Sequence, residues 1–227
     1  MRGMATVLLA AVSLGGCAGP GQLTVNTEST DFSLDPAVLY RQGIGFLTPI
    51  AATGEEANRV SLALAFASSL TDLHENLHVV SLAEVLSAVN RAGLSDDYKS
   101  MMDDYDATGI MEKETLAQVG RLSGARYLGL LQLADFEQST NKRFGLAGLR
   151  LMDTKIASIR LSWQIWDSVT GSIAWEGTDE IHYAYDTGRE RPVSFGYVAG
   201  KAARNLISEM PLEAVVPEDT AAASIAR

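Results

Sequence analysis

Tyr127-Leu128-Gly129-Leu130-Leu131-Gln132-Leu133 is almost unbroken in apolar residues, the pattern of a central strand covered on both faces. Residues 154–166 alternate instead. Ile159, Leu161, Trp163 and Ile165 fall to one side, and Ser158, Arg160, Ser162 and Gln164 to the other, which predicts a strand with one covered face. Asp167-Ser168-Val169-Thr170-Gly171 supplies a turn. Ile173, Trp175, Ile181, Tyr183 and Tyr185 then line the returning strand; Gly177 and Asp179 interrupt that apolar face and predict a bulge. Between the first two strands, Gln138 to Arg150 reads as a glycine-bearing connection.

Upstream, the folded part begins at Gly43. Ile44-Gly45-Phe46-Leu47-Thr48-Pro49 reads as a buried strand stopped by proline. Thr53 and Glu56 have capping-box spacing, and the apolar residues that follow predict a helix over 54–73. His78-Val79-Val80 is a short strand, and Ser81 with Glu84 caps a helix that ends at Gly93. Ser95 caps another, with Tyr98, Met101, Met102 and Tyr105 on one face and Gly109 as its stop. A fourth runs from about Glu112 to Leu122, and a last, over 189–209, ends before Pro211. The order is β-α-β-α-α-α-β-β-β-α: one α/β domain over 43–210, with helices packed on a mixed sheet of about five strands. Residues 211–227 read as a mobile tail.

Met1 to Cys17, MRGMATVLLAAVSLGGC, has the other legible pattern. Arg2 gives a positive start, Met4 to Leu14 an apolar run too short to span a bilayer, and small residues lead into the cysteine. Residues 1–16 read as a secretory signal. Leu14-Gly15-Gly16-Cys17 resembles a bacterial lipobox, which implies diacylglycerol on the Cys17 thiol, cleavage before Cys17 and acylation (typically palmitate) of the freed amine. The alternatives are a signal peptide with an incidental cysteine, or a membrane helix. Ala18 stands where an inner-membrane retention signal places aspartate, which favours the outer membrane. Residues 17–42 read as the lipidated cysteine and a flexible tether, with Leu23-Thr24-Val25 a possible short edge strand; fully extended, it spans about 85 Å.

Cys17 is the single cysteine, so the chain forms no internal disulfide. Eighteen basic against 28 acidic residues give −10. Removing 1–16 takes away only Arg2, which leaves about −11. That charge argues against a nucleic-acid partner and against docking on anionic lipid through a polybasic patch. The acyl chains therefore have to hold the membrane, at about 0.8 kcal/mol per buried methylene.

Three features together resemble a known group: Gly45-Phe46-Leu47-Thr48-Pro49 with its long following helix, Leu122-Ser123-Gly124-Ala125-Arg126-Tyr127-Leu128-Gly129, and the Trp166-Asp167-Ser168-Val169-Thr170-Gly171 hairpin. They look like the periplasmic domain shared by the curli secretion-channel lipoprotein and the outer-membrane lipoprotein activators of penicillin-binding proteins, over roughly Gly43 to Met210. The resemblance implies a non-catalytic, periplasm-facing lipoprotein of the outer membrane. It would serve assembly, secretion or cell-wall synthesis by binding another envelope protein or by self-assembly, with no cofactor and no small-molecule substrate. Two departures narrow it. The channel's membrane hairpins need about 9–11 residues per strand, whereas Ser139 to Leu151 offers one short excursion with Lys142, Arg143 and Arg150, and the 154–186 hairpin exposes Arg160, Gln164, Glu176 and Glu180. The activators carry a long tether, and this one is short.

The chain also carries fragments of catalytic and metal-binding patterns. Ser139-Thr140-Asn141-Lys142 has S-x-x-K spacing without its partner motifs, so a polar loop accounts for it. Asp186-Thr187-Gly188 matches the aspartic-protease triplet, but an N-cap turn explains it equally. Asp104-x-Asp106-x-Thr108-Gly109 begins like a calcium loop, yet position twelve is Thr115 and Glu114 falls one short. His74, His78 and His182 lack zinc spacing, and Gly43-x-Gly45 precedes its strand instead of following it. Tyr98, Met101, Met102 and Tyr105 suit core packing better than a partner groove. Cys17, for lipidation, is the site residue selected; no catalytic, cofactor or metal residue is. The competing functions are a small-ligand or calcium-binding lipoprotein, and a hydrolase with an unrecognised site.

Overall fold

The computed structural model describes residues 22–146, 149–187 and 193–212. In chain order the elements are β1 (Gln22–Asp31), α1 (Pro36–Gln42), β2 (Ile44–Phe46), β3 (Ile50–Ala51), α2 (Arg59–Leu73), β4 (Val79–Val80), α3 (Leu82–Arg91), α4 (Ser95–Thr108), α5 (Lys113–Ser123), β5 (Tyr127–Leu146), β6 (Leu149–Asp167), β7 (Ser172–Thr187) and α6 (Phe195–Ser208). A 3-10 turn, Glu56–Asn58, leads into α2. The class is the expected one, a single α/β domain with a mixed sheet, but with seven strands. Their order is β1-β7-β6-β5-β2-β4, with β3 also on β5. The β1, β7, β6 and β5 ladders are antiparallel, and β2, β3 and β4 join in parallel. No helix among the described residues is long and apolar enough to cross a membrane.

Two cores flank the sheet. On one face Leu39 of α1, Leu62, Phe66 and Leu70 of α2, and Val198, Ala202 and Leu206 of α6 enclose Phe46, Leu131, Ile159, Leu161, Trp163 and Trp175. Trp163 sits at its centre, stacked on Phe46 and edge-on to Phe66 and Trp175. A Cβ on Gly129 would meet the Trp163 indole at 2.7 Å, so that strand glycine is the space the tryptophan fills. On the other face Val85 and Val89 of α3, Tyr98, Met101 and Tyr105 of α4, and Leu116 and Val119 of α5 cover Leu47, Leu128, Leu130 and Trp166. Across the sheet, the last apolar side chains in this core are Trp166 of β6 and the half-buried Ile173 of β7.

Several expectations are corrected. Residues 22–42 are not tether: β1 pairs along its whole length with β7, Gln22 opposite Ala184 and Asp31 opposite Trp175. In α1, Asp35 accepts from the Val38 N–H at 3.1 Å as N-cap, with Pro36 just inside the helix. The 138–150 connection is not a loop or a short excursion; the β5–β6 ladder runs from Tyr127 opposite Asp167 to Leu146 opposite Leu149. Shortness therefore no longer argues against a membrane hairpin. The β6–β7 irregularity falls between Ile165 and Trp166, at Ala174, not at Gly177 or Asp179. It turns Ile173 toward the second core while Trp175 enters the first. Thr53 does not cap α2, because Gly54 takes a left-handed turn (φ 97°) and the 3-10 turn intervenes. Ser95 is the first residue of α4 and not its cap, which is Leu94. The last helix begins at Phe195, capped by Ser194. The Ser81–Glu84 capping box is present in both directions, and Gly109 closes α4 in the left-handed conformation.

Candidate functional site

Where α3, α4 and α5 stop, the sheet face they cover is left open. Its side chains fall into rows read from the ladders: Thr30, Glu176 and Gln164; Glu28, Thr178, Ser162 and Gln132; Asn26, Glu180, Arg160 and Asp135; Thr24, His182, Ser158 and Glu137. These are the polar positions of the alternating strands. Two contiguous hollows lie on this floor. One, of about 630 Å³, is bounded by Glu28, Ile50, Thr53, Asp106, Arg160 and Glu180. The other, of about 300 Å³, is bounded by Glu28, Thr30, Gln132, Gln164 and Glu176. Glu28, Asp135, Glu137, Glu176 and Glu180 outweigh Arg160, so the face is acidic.

A hydrogen-bond chain fixes the floor against α4. Gln132 Nε2 donates to the Tyr105 hydroxyl at 2.6 Å, and that hydroxyl donates to Gln164 Oε1 at 2.7 Å. Trp166 Nε1 also donates to Gln164 Oε1, at 3.3 Å, and Gln164 Nε2 reaches Glu176 at 3.4 Å. Burial raises the Tyr105 phenol above its usual pKa, with Glu176 and Asp106 adding to the effect against the Gln132 bond, so the hydroxyl stays protonated as a donor. Behind the floor, on the helix side, Asp179 accepts from Thr27 Oγ1 at 2.6 Å and from Asn205 Nδ2 at 3.3 Å. It ties β1 and β7 to α6. Burial pushes its carboxyl above the usual range, against those two bonds.

The nearest approach to a catalytic constellation is Ser158, His182 and Glu180 on this face. Ser158 stands directly opposite His182 in the ladder. The imidazole is spent differently: Nε2 contacts Glu180 Oε1 at 3.1 Å, both side chains are exposed, and Ser158 has no bond to the ring. A hydrolytic triad needs the base bonded to the nucleophile and oriented by the acid through its other nitrogen.

The sequence candidates do not converge. Cys17 lies outside the described residues, as do Gly188 and residues 213–227. Ser139 to Lys142 lie on β5 rather than on a loop or a helix start. Asp186 and Thr187 end β7, opposite Thr154 and Asp153. Asp104 and Asp106 are helical residues of α4, not a loop wrapped round an ion, and among the described residues no three His, Cys, Asp or Glu side chains cluster as a metal site. His74 caps α2 and bonds Tyr40 at 2.9 Å, its pKa lowered by burial; His78 receives the Ile44 N–H on its carbonyl. Gly43 ends α1 against His78. Tyr98, Met101 and Tyr105 are buried in the second core.

This architecture defines a single α/β domain with one acidic sheet face left uncovered. No protein-family model and no curated protein matches the sequence. Solved structures do resemble it. The PelC dodecamer from Paraburkholderia phytofirmans is 12% identical, over 82% of this chain and 96% of that one, with a TM-score of 0.48. Lipoprotein GNA1162 from Neisseria meningitidis is 10% identical over 73% and 95%, at 0.36. The LpoB C-terminal domain from Salmonella enterica is 15% identical over 61% and 82%, at 0.35. No residue role is carried over from them.

Proposed function

We propose that this chain is a non-catalytic, lipid-anchored envelope protein that holds a protein partner against the acidic face of its sheet. The observation that carries the reading is the open face itself. Four strands present ordered amide, hydroxyl and carboxylate groups there, and Ser158 is not bonded to the His182 ring opposite it. Such a floor suits a basic partner surface, since complementary charge sets orientation and speeds encounter. Cys17 supplies the anchor. It precedes Gln22 by five positions, which limits its distance from the start of β1 to about 18 Å. Gln22 pairs with Ala184, toward the same end of the sheet as the Leu146–Leu149 tip. That end faces the membrane, and Ala18 favours the outer one.

Fractionation and cross-linking test the two halves of the proposal separately. Cys17→Ser should move the protein out of the membrane fraction; retention there contradicts the anchor. In cells, Glu28→Lys with Glu180→Lys should cut the yield of a cross-linked heteromeric adduct by about tenfold, and an unchanged yield contradicts the face. The rival hydrolase reading predicts a turnover abolished by Ser158→Ala.

A further inference from the structure

We infer that the free edge of β1 binds an extended polypeptide segment as an eighth strand, with basic residues on one side of that segment and apolar residues on the other. The inference refines the protein-binding reading above and rests on it.

The two edges of the sheet differ. β4, at one end of the order, is a two-residue strand, Val79–Val80, too short to template another. At the other end β1 is ten residues long. Its register with β7 runs without a shift from Gln22 to Asp31, and it contains no proline and no lysine. Short strands, bulges, prolines and charged side chains, lysine above all, protect edges from added strands; of these β1 has only the carboxylates Glu28 and Asp31, which leave its ladder groups open to a basic segment. Among the described residues nothing pairs with its outer side.

The phase of the ladder tells which groups are free. Phe32 N–H donates to Ala174 O at 3.0 Å, and the register places Phe32 opposite Ala174. Bonding residues alternate along an antiparallel pair. Even-numbered residues of β1 therefore bond to β7, and Leu23, Val25, Thr27, Ser29 and Asp31 turn their N–H and C=O groups outward. An added strand finds up to five residues to pair with.

Side chains beside the edge select the occupant. On the helix side Leu23 and Val25 are 43% and 39% exposed, and Leu23 stands opposite Tyr183, whose ring packs on Tyr197. On the open side the edge carries Glu28, with Glu176 and Glu180 one strand in. A second copy of this chain would bring both sets of glutamates onto one continuous face, where like charges repel. A segment alternating basic and apolar residues neutralises the glutamates and covers Leu23 and Val25.

The probe is a fluorescently labelled ten-residue peptide of alternating Lys and Val, titrated by anisotropy against the full chain in detergent. Saturable binding is expected. Ser29→Pro removes one outward donor without touching a β7 bond and should weaken binding by about tenfold, while Ser29→Ala should not. Methylating alternate peptide nitrogens should abolish binding in one phase and spare it in the other. A Glu–Val peptide should bind at least about tenfold more weakly. Indifference to Ser29→Pro and to both methylation phases overturns the strand; if Glu180→Lys still weakens binding, the face reading stands without it. Absence of saturable binding also overturns the strand, and so does a Ser29→Pro-sensitive dimer in light scattering, since the edge would then belong to a second copy. Cross-linking from the sheet face tests the broader reading independently.

Discussion

Tyr127–Leu131 of β5 and Ser158–Gln164 of β6 lie side by side in one sheet and live in different surroundings. The first is covered by α1, α2 and α6 on one side and by α3, α4 and α5 on the other; the second is covered on one side only. Leu128 and Leu130 bury themselves in the second core, while across the ladder Ser162 and Gln164 face outward. The difference underlies the proposed function. A sheet needs one buried face to be stable, and whatever the second face carries is free to serve another purpose. Here it carries carboxylates, amides and hydroxyls in register.

Breaking the covered side should have the largest effect. Trp163→Ala empties the centre of the first core and should cost about 3–5 kcal/mol of unfolding free energy in urea titration. Next is the ladder that holds the edge strand. Asn26→Pro removes a bond to β7 and should cost about 2–3 kcal/mol, whereas Ser29→Pro, on the outward phase, should cost less than about 1 kcal/mol. Equal costs would mean that the phase assigned to β1 is wrong.

Smaller effects come from the polar ties. Arg126 donates to Asp167 at 2.8 Å, and Asp167 also accepts from the Val169 N–H at 2.8 Å to shape the β6–β7 turn. Burial acts to raise the Asp167 pKa, but the Arg126 and turn bonds together hold it below the usual value. Its contribution is therefore present above the unfolded carboxyl pKa and lost as pH falls through the lower folded value. Arg126→Ala should cost about 1–2 kcal/mol at neutral pH, measured by urea unfolding, and less once Asp167 is protonated. Asp179 has the opposite sign. Its folded pKa is raised, so its contribution is fully present below the unfolded value, near 3.8, and lost as pH rises through the folded one. Asp179→Asn cannot titrate, so its stability relative to the parent should rise with pH across that window; a flat difference contradicts the buried carboxylate. Smallest of all, Ser162→Ala on the open floor should stay within about 0.5 kcal/mol.

The covered regions were the legible ones. Continuous apolar residues gave β5, period two gave β6, and the Ser81–Glu84 box and Gly109 marked helix ends, because each signal is local and reports burial or a cap. β1 was hidden by its own composition: Thr24, Asn26, Glu28 and Thr30 face the open side and Leu23 and Val25 remain half exposed, so no apolar period forms, and its ladder comes from a strand some 150 residues away. Asp35-Pro36 did carry the N-terminal signal of α1. The polar, glycine-bearing run 138–150 pairs with its antiparallel neighbour and not with a core. Gly177 looked like a bulge, but its missing side chain makes room for Trp175 and Leu206, either of which a Cβ would approach within 3 Å. Asp179 looked like an interruption until Thr27 and Asn205 came to it from other elements. The open face was visible as alternation; that its polar rows continue across β1 was not.

On the proposed reading, the uncovered face is where this protein meets its partner. The direct measurement places a photo-cross-linking amino acid at Ser162 or Thr178 on the floor, and at Val169 on the exposed turn between β6 and β7, in the full-length chain expressed in its own cells. A discrete heteromeric adduct is expected from Ser162 and Thr178 and none from Val169. Adducts from Val169 alone, or the same adduct from all three, would contradict it.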